Sequence, residues 1–313
     1  MTSNKNNKIK LIVITGPTAT GKTTLSVKLA NNINGEIISA DSRQIYRGMD
    51  LGTGKDLNEY YIGNNQIKHH LIDIIEPDKD YSVYNFQKDF FQSYQKIQNN
   101  NNIPIVCGGT GLYIESILLD YDLSKKPAPN IEMRKELSAY SKEKLMNIIS
   151  SISSKKEMDK MLLLTKKQII RNIEIIKMGN TYEGKRFPPL NNNALVVALR
   201  MDRELLRNKI KLRLIERIND GMINEVESLL NDGMKMERLD YFGLEYKFIG
   251  KYLRHEITKD KLIQDLSTAI RRFAKRQRTW FRRMEKRGVK INWIEYNDYE
   301  ALENIVISHI NES

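Results

Sequence analysis

Eight residues near the start of the chain have the types and spacing to hold phosphate. Gly16-Pro17-Thr18-Ala19-Thr20-Gly21-Lys22-Thr23 matches G-x-x-x-x-G-K-[ST] at every defined position. In that pattern glycines let backbone N–H groups converge on phosphate oxygens, and the N-terminus of a following helix adds favourable partial charge. Lys22 would neutralise an outer phosphate, and the Thr23 hydroxyl would ligate Mg²⁺. The setting agrees with the motif. Lys10–Thr15 reads as a buried strand leading into the loop, and Leu25 and Leu29, four apart, read as one face of a helix leading out. The pattern predicts a diphosphate or triphosphate site without deciding between them.

A second candidate is Asp41, directly after the strand segment Glu36–Ala40. A carboxylate there could bind metal, take a proton or cap a helix, and capping is the commonest use of such an Asp. Further strand segments are His70–Ile75, Ile103–Cys107, Ala194–Leu199 and Val289–Ile294, with helical segments between them. That alternation predicts an α/β fold, a P-loop parallel sheet flanked by helices. Ligands of such sheets bind beyond the carboxyl ends of the strands. The P-loop, Asp41 and Gly108-Gly109-Thr110-Gly111 all leave their strands at that end.

Residues 121–193 break the alternation. Met133–Ile149, Lys156–Leu164 and Gln168–Met178 are helical in pattern, and Pro188-Pro189 with Asn191–Asn193 close the segment. The expected organisation is a P-loop core over 1–120, a helical insertion domain over 121–193, and a second part of the core over 194–313. After Leu199 the helical segments are Glu204–Ile218, Met222–Leu230, Glu245–Tyr252 and Lys259–Lys286.

The 313 residues carry a net charge of +12, unevenly placed. Between Arg271 and Lys290 ten basic residues face one acid, Glu285. A free-metabolite enzyme does not need that concentration, whereas a polyanionic partner explains it. Arg271, Lys275, Arg278 and Arg282 fall on one helical stripe. Phe273, Gln277, Trp280 and Met284 fall on an adjacent one expected to dock the helix. The single cysteine, Cys107, excludes an internal disulfide and suits a reducing compartment. No apolar run approaches the roughly 20 residues that span a bilayer. A cytoplasmic, membrane-free protein, working as a monomer, is expected. The four histidines show no metal spacing, and His69-His70 reads as strand-end packing and hydrogen bonding.

The string Ile38-Ser39-Ala40-Asp41-Ser42-Arg43-Gln44-Ile45-Tyr46-Arg47-Gly48-Met49-Asp50 resembles the tRNA dimethylallyltransferase (tRNA isopentenyltransferase) family. Further blocks in the same order resemble it too. They are His69–Asp73, Tyr81-Ser82-Val83, Gly108–Tyr113, Arg171-Asn172-Ile173-Glu174, Gly221–Val226 and Ala274–Arg282. The form is the bacterial one, since no Cys or His cluster marks a zinc finger. The resemblance implies transfer of a dimethylallyl group from dimethylallyl diphosphate to N6 of adenine 37, beside the anticodon of tRNA. The P-loop would then hold a pyrophosphate leaving group and not ATP, with Mg²⁺ as cofactor and the anticodon stem-loop as partner.

On this carry-over Asp41 is the base, and Thr110 and Arg217 line the channel where the substrates meet. Contacts to tRNA are implied for Asp41, Ser42, Arg43, Gln44, Thr110, Arg134, Lys167, Arg171, Tyr246, Lys247, Lys275, Arg276, Gln277, Arg278 and Arg282. Taken without the resemblance, Arg134, Lys167 and Arg171 read as a solvated helix face. The segments Leu163–Lys167 and Tyr241–Lys247 depart from the family's usual blocks. Three other readings compete: a small-molecule kinase, an adenylate isopentenyltransferase acting on free nucleotide, and a non-catalytic RNA-binding protein with a vestigial loop. None of them uses the P-loop, the Asp41 string and the basic late helix together.

Overall fold

The computed structural model describes residues 11–124, 126–127, 129–152, 164–179 and 184–311. Eight strands occur among them: β1 (Leu11–Thr15), β2 (Gly35–Ser39), β3 (Tyr61–Ile62), β4 (Asn65–Gln66), β5 (His69–His70), β6 (Ile103–Gly108), β7 (Ala194–Arg200) and β8 (Ile291–Glu295). Six of them form a parallel sheet in the order β5-β2-β6-β1-β7-β8, while β3 and β4 pair separately as an antiparallel hairpin. Val13 of the central β1 registers with Val106 on one side and Val196 on the other. Leu11 to Ile14 are wholly buried. Continuous apolar strands of this kind require cover on both faces.

Ile12, Ile14, Ile105 and Val197 pack with Leu29 of α1 (Lys22–Ile33) and with Leu302 and Val306 of the last helix, Tyr299–Asn311. Helix α2 (Val83–Asn99) packs on β2, β6 and α3 (Gly111–Leu118). Its start is fixed by a capping box between Ser82 and Asn85. A second core gathers α7 (Arg203–Asn219), α8 (Met222–Asn231), α9 (Leu244–Leu253) and α10 (Lys259–Lys286) around Tyr46, Met49 and Tyr246.

The chain divides into two compact units. The larger contains the sheet and takes the chain up to Asp120 and again from Pro188. The smaller, Tyr121–Phe187, contains α4 (Ile131–Ser138), α5 (Lys142–Ile152) and α6 (Lys166–Met178) around Leu137, Leu145, Ile149, Ile169 and Ile173. Residues 188–193, expected inside the insertion, belong to the larger unit.

Three local expectations are corrected. The helix expected over Met133–Ile149 is two helices, because Ser141 Oγ accepts the Lys144 N–H and starts a new one. The strand expected over His70–Ile75 stops at His70, where Leu71 and Asp73 take left-handed backbone with φ of 62° and 53°. The inner face of α10 is Ile270, Ala274, Gln277, Phe281 and Met284, while Phe273 is 38% exposed. Of the expected helix Lys156–Leu164, residues 156–163 lie outside the described residues.

Candidate active site

The P-loop connects β1 to α1 at the carboxyl end of the sheet. Thr15 Oγ1 donates to the Gly108 carbonyl at 2.9 Å, tying the loop's entry to the end of β6. Thr20 Oγ1 and Lys22 Nζ both donate to the Pro17 carbonyl at 2.8 Å. Ala19 and Gly21 adopt φ of 63° and 75°, which turns the loop tightly before α1 begins at Lys22. Burial strips water from Lys22 and lowers its ammonium to about 8, and the nearby Arg213 cation adds to the lowering. Thr23 follows in the first turn of α1. Its hydroxyl could supply one oxygen to a Mg²⁺ that keeps waters and substrate oxygens as its other ligands, the usual way this ion is held. No group of three or more His, Cys, Asp or Glu that could hold a metal occurs among the described residues.

At the same end of the sheet, after β2, stands Asp41. Its Oδ1 accepts the Arg43 N–H at 2.9 Å, so the carboxylate does cap a turn. Its field is felt at Lys22. The Ser42 N–H donates to Thr110 Oγ1 at 3.0 Å, and the Thr110 N–H donates to the Ala40 carbonyl at 3.1 Å. The ends of β2 and β6 thereby bring Asp41, Ser42 and Thr110 together. Gln44 is held at both ends of its amide: Oε1 accepts from Ser39 Oγ at 3.1 Å, and Nε2 donates to the Gly54 carbonyl at 2.9 Å. Arg43 lies over the Tyr241 ring, 5.5 Å from its centre.

Arg217 of α7, expected in the channel where the substrates meet, lies near the P-loop and has company that sequence reasoning missed. Thr18, Ala19, Arg213, Arg217 and Glu245 line one small pocket. Asp56 joins the two arginines, at 2.5 Å to Arg213 and 3.2 Å to Arg217. Burial lowers Arg217 below the ordinary arginine value, with Arg213 beside it contributing. Burial raises the carboxyls of Glu245 and of Glu59, which accepts from Thr24 Oγ1 at 3.3 Å. Lys22, Arg213 and Arg217 make this end of the crevice a cationic seat for a compact polyanion. Arg213 carried a readable signal: it sits four residues before Arg217, on the same helix face.

The residues expected at RNA fall into two sets. Lys275, Arg276 and Arg282 are exposed along α10, Arg278 is half-buried, and Lys275, Arg278 and Arg282 meet no carboxylate among the described residues. Lys167 is exposed on α6, and Lys247 lies 3.7 Å from Asp240. Four others are buried or held by buried groups. Gln277 is buried, its Oε1 accepting the Thr18 N–H and its Nε2 donating to the Gly109 carbonyl, both at 2.9 Å. Tyr246 is fully buried and donates to Glu225. Arg134 and Arg171 pair with the buried Glu174 at 2.7 and 2.5 Å. A buried carboxylate must be neutralised, so Glu174 draws both guanidinium groups onto itself.

The geometry agrees with what the chain is similar to. A family model described as IPP transferase matches residues 44–284, and one described as isopentenyl transferase matches 9–73. The chain belongs to the tRNA dimethylallyltransferase family. It is 45% identical over 294 residues to tRNA dimethylallyltransferase 1 of Syntrophus aciditrophicus, covering 93% of this chain and 95% of that one. It is 47% identical over 290 residues to tRNA dimethylallyltransferase 2 of Bacteroides fragilis, covering 91% and 92%. Among solved structures, the tRNA isopentenylpyrophosphate transferase of Bacillus halodurans matches with a TM-score of 0.68 and 31% identity, covering 97% of this chain and 98% of that one. A eukaryotic dimethylallyltransferase acting on tRNA shares the fold, with a TM-score of 0.71 at 20% identity, covering 95% and 76%. No described helix is long and apolar enough to cross a membrane.

Proposed function

We propose that this prenyltransferase moves the dimethylallyl group of dimethylallyl diphosphate onto N6 of adenine 37 in the anticodon stem-loop of tRNA. The observation that carries this reading is the meeting, at the carboxyl end of one parallel sheet, of the P-loop lysine with a carboxylate whose charge acts on it. Lys22 and the P-loop, backed by Arg213 and Arg217, form the phosphate seat, and Asp41 and Thr110 stand at the ends of β2 and β6. The N6 amine forms a bond to the allylic carbon as the carbon–oxygen bond breaks. The bonding pair leaves on the pyrophosphate oxygen, where Lys22 and the loop amides stabilise the growing charge. The N6 proton goes to Asp41, which the Arg43 N–H orients. Mg²⁺, held through Thr23 and the diphosphate, would supply further neutralisation of the leaving group. The adenine must leave the anticodon stack to reach this depth. Lys275, Arg278 and Arg282 hold RNA phosphates on the outer face of α10. We further read the enzyme as a cytoplasmic monomer, since one chain supplies every group named here and its one cysteine is free and buried.

The test is incubation with dimethylallyl diphosphate, Mg²⁺ and either unmodified tRNA or AMP, with nucleoside analysis of the products. N6-dimethylallyladenosine should appear in the RNA alone. Product on AMP would favour the free-nucleotide relative, and phosphoryl transfer from ATP would favour a kinase. Asp41→Ala should lower turnover by about 10²–10⁴-fold while pyrophosphate binding stays near wild type. Unaltered turnover would remove Asp41 from the role of base.

A further inference from the structure

Two strings in the late half of the chain hold side chains that the chemistry above does not use: Gly221–Val226 and Tyr241–Lys247. The structure brings them to one place. Glu225 Oε2 accepts the N–H groups of Asp50 and Leu51, each at 2.7 Å. Its Oε1 accepts the Gly52 N–H at 3.0 Å and the Tyr246 hydroxyl at 2.7 Å. One carboxylate thus gathers three consecutive backbone donors and a phenol. Gly52 is what admits the phenol: a Cβ there would lie 2.6 Å from Tyr246 Cζ.

The gathered loop is fastened at its far end as well. The Gly54 N–H returns to the Asp50 carbonyl at 2.9 Å. Lys55, whose side chain is wholly enclosed, donates to the Tyr46 carbonyl at 2.6 Å and to Asp50 at 2.7 Å, and also pairs with Asp73. A loop so constrained can position other groups, and Gly54 touches two. Its carbonyl holds Gln44 Nε2 at 2.9 Å. On its other side the Arg217 guanidinium lies so close that a Cβ on Gly54 would come within 2.3 Å of Nη2.

We propose that Glu225 and Tyr246 are positioning residues that clamp loop 50–54, and through it set Gln44 against the incoming adenine. The proposal rests on the reading of function given above. A group displaced by about 1 Å costs up to about 10²-fold in rate even where binding is intact. The clamp therefore acts on kcat and not on the capture of either substrate.

The experiment uses full-length enzyme with tRNA and dimethylallyl diphosphate, well below the melting temperature of each variant. Tyr246→Phe keeps the ring in place and deletes the hydroxyl. Its kcat should fall about three- to tenfold, the net worth of one ordinary hydrogen bond. Glu225→Gln should lose about 10- to 100-fold in kcat. In both, the KM for tRNA and the affinity for inorganic pyrophosphate should stay within about twofold of wild type. A lowered melting temperature with kcat unchanged in Tyr246→Phe would show a purely structural pair and overturn the clamp. So would a defect confined to pyrophosphate affinity. A wild-type enzyme that leaves tRNA unmodified would instead overturn the reading of function, and the clamp with it.

Discussion

On α10, Lys275 and Arg282 are exposed and meet no carboxylate among the described residues, whereas in the smaller unit Arg134 and Arg171 both turn onto Glu174. The side chains are of one kind, and both sets sit on helix faces that read as basic. What separates them is a single acid with 0% side-chain exposure. An unpaired carboxylate in such a place is costly enough to recruit any cation in reach. The same thing happens at the end of α10, where Arg283 lies 2.5 Å from the wholly buried Glu115 and Arg287, just past the helix, pairs with its other oxygen. Positive charge on a helix becomes available to a nucleic acid only where the interior has not already claimed it.

The comparison is most severely tested at Glu174. Glu174→Ala leaves two guanidinium groups and the Asn130 N–H without their shared acceptor, and should destabilise the smaller unit by about 3 kcal/mol. Denaturant unfolding or hydrogen exchange would measure it. A neutral result would mean that the arginines are held by something else. Next in size, replacing Lys275, Arg278 and Arg282 together with Ala should weaken tRNA binding about ten- to a hundredfold at 0.1 M salt. The log–log salt slope should flatten by about one unit for each phosphate left without its cation. Arg134→Ala is the control. If it flattens the slope as much as a single substitution on α10, the distinction between the two regions fails.

A smaller effect is expected at Gln277, which the structure assigns to the P-loop and not to the outer surface. Gln277→Ala should cost about 1 kcal/mol, or about fivefold, in pyrophosphate affinity, with tRNA affinity unchanged. The reverse pattern in two calorimetric titrations would return Gln277 to the RNA side. The mildest test is pH. Lys22 sits at about 8 in the unliganded protein, below the ordinary lysine value of 10.5. Its ammonium is complete below that point and is lost as pH rises through it, and an anion binds the ammonium form. Pyrophosphate affinity should therefore be level below about 8 and decline above it, and Lys22→Ala should remove the dependence on Lys22. A decline of equal size in the alanine variant would assign it to another group.

Much of the donor side was legible because its instructions are local. A strand, a glycine-bearing loop and a helix follow one another within Leu11–Ile33, and the limits of α10 match the apolar pattern of Lys259–Lys286. The phase of α10 was harder. Gln277 and Met284 belong both to the expected stripe with Phe273 and to the observed one with Ala274 and Phe281. The two stripes are centred only about 50° apart and overlap, and only the partner surface chooses between them. Tyr246 and Gln277 were expected at RNA and are buried, for a related reason: a polar group reads as outward until its buried partner is known. Asp56 and Glu59 carry no motif at all, and Glu245 sits in a segment that departs from the family's block. They enter the site because chain segments far apart in sequence fold against α1 and α7.

The insertion has a further consequence in the history of such chains. It leaves the larger unit after Asp120 and rejoins at Pro188, and just inside those points the Leu190 N–H donates to the Ile117 carbonyl at 3.0 Å. The host therefore already holds the two cut ends side by side, and a few residues can close them. A gene for such a chain can lengthen, shorten or exchange the whole cassette in one recombination event without disturbing a strand of the sheet.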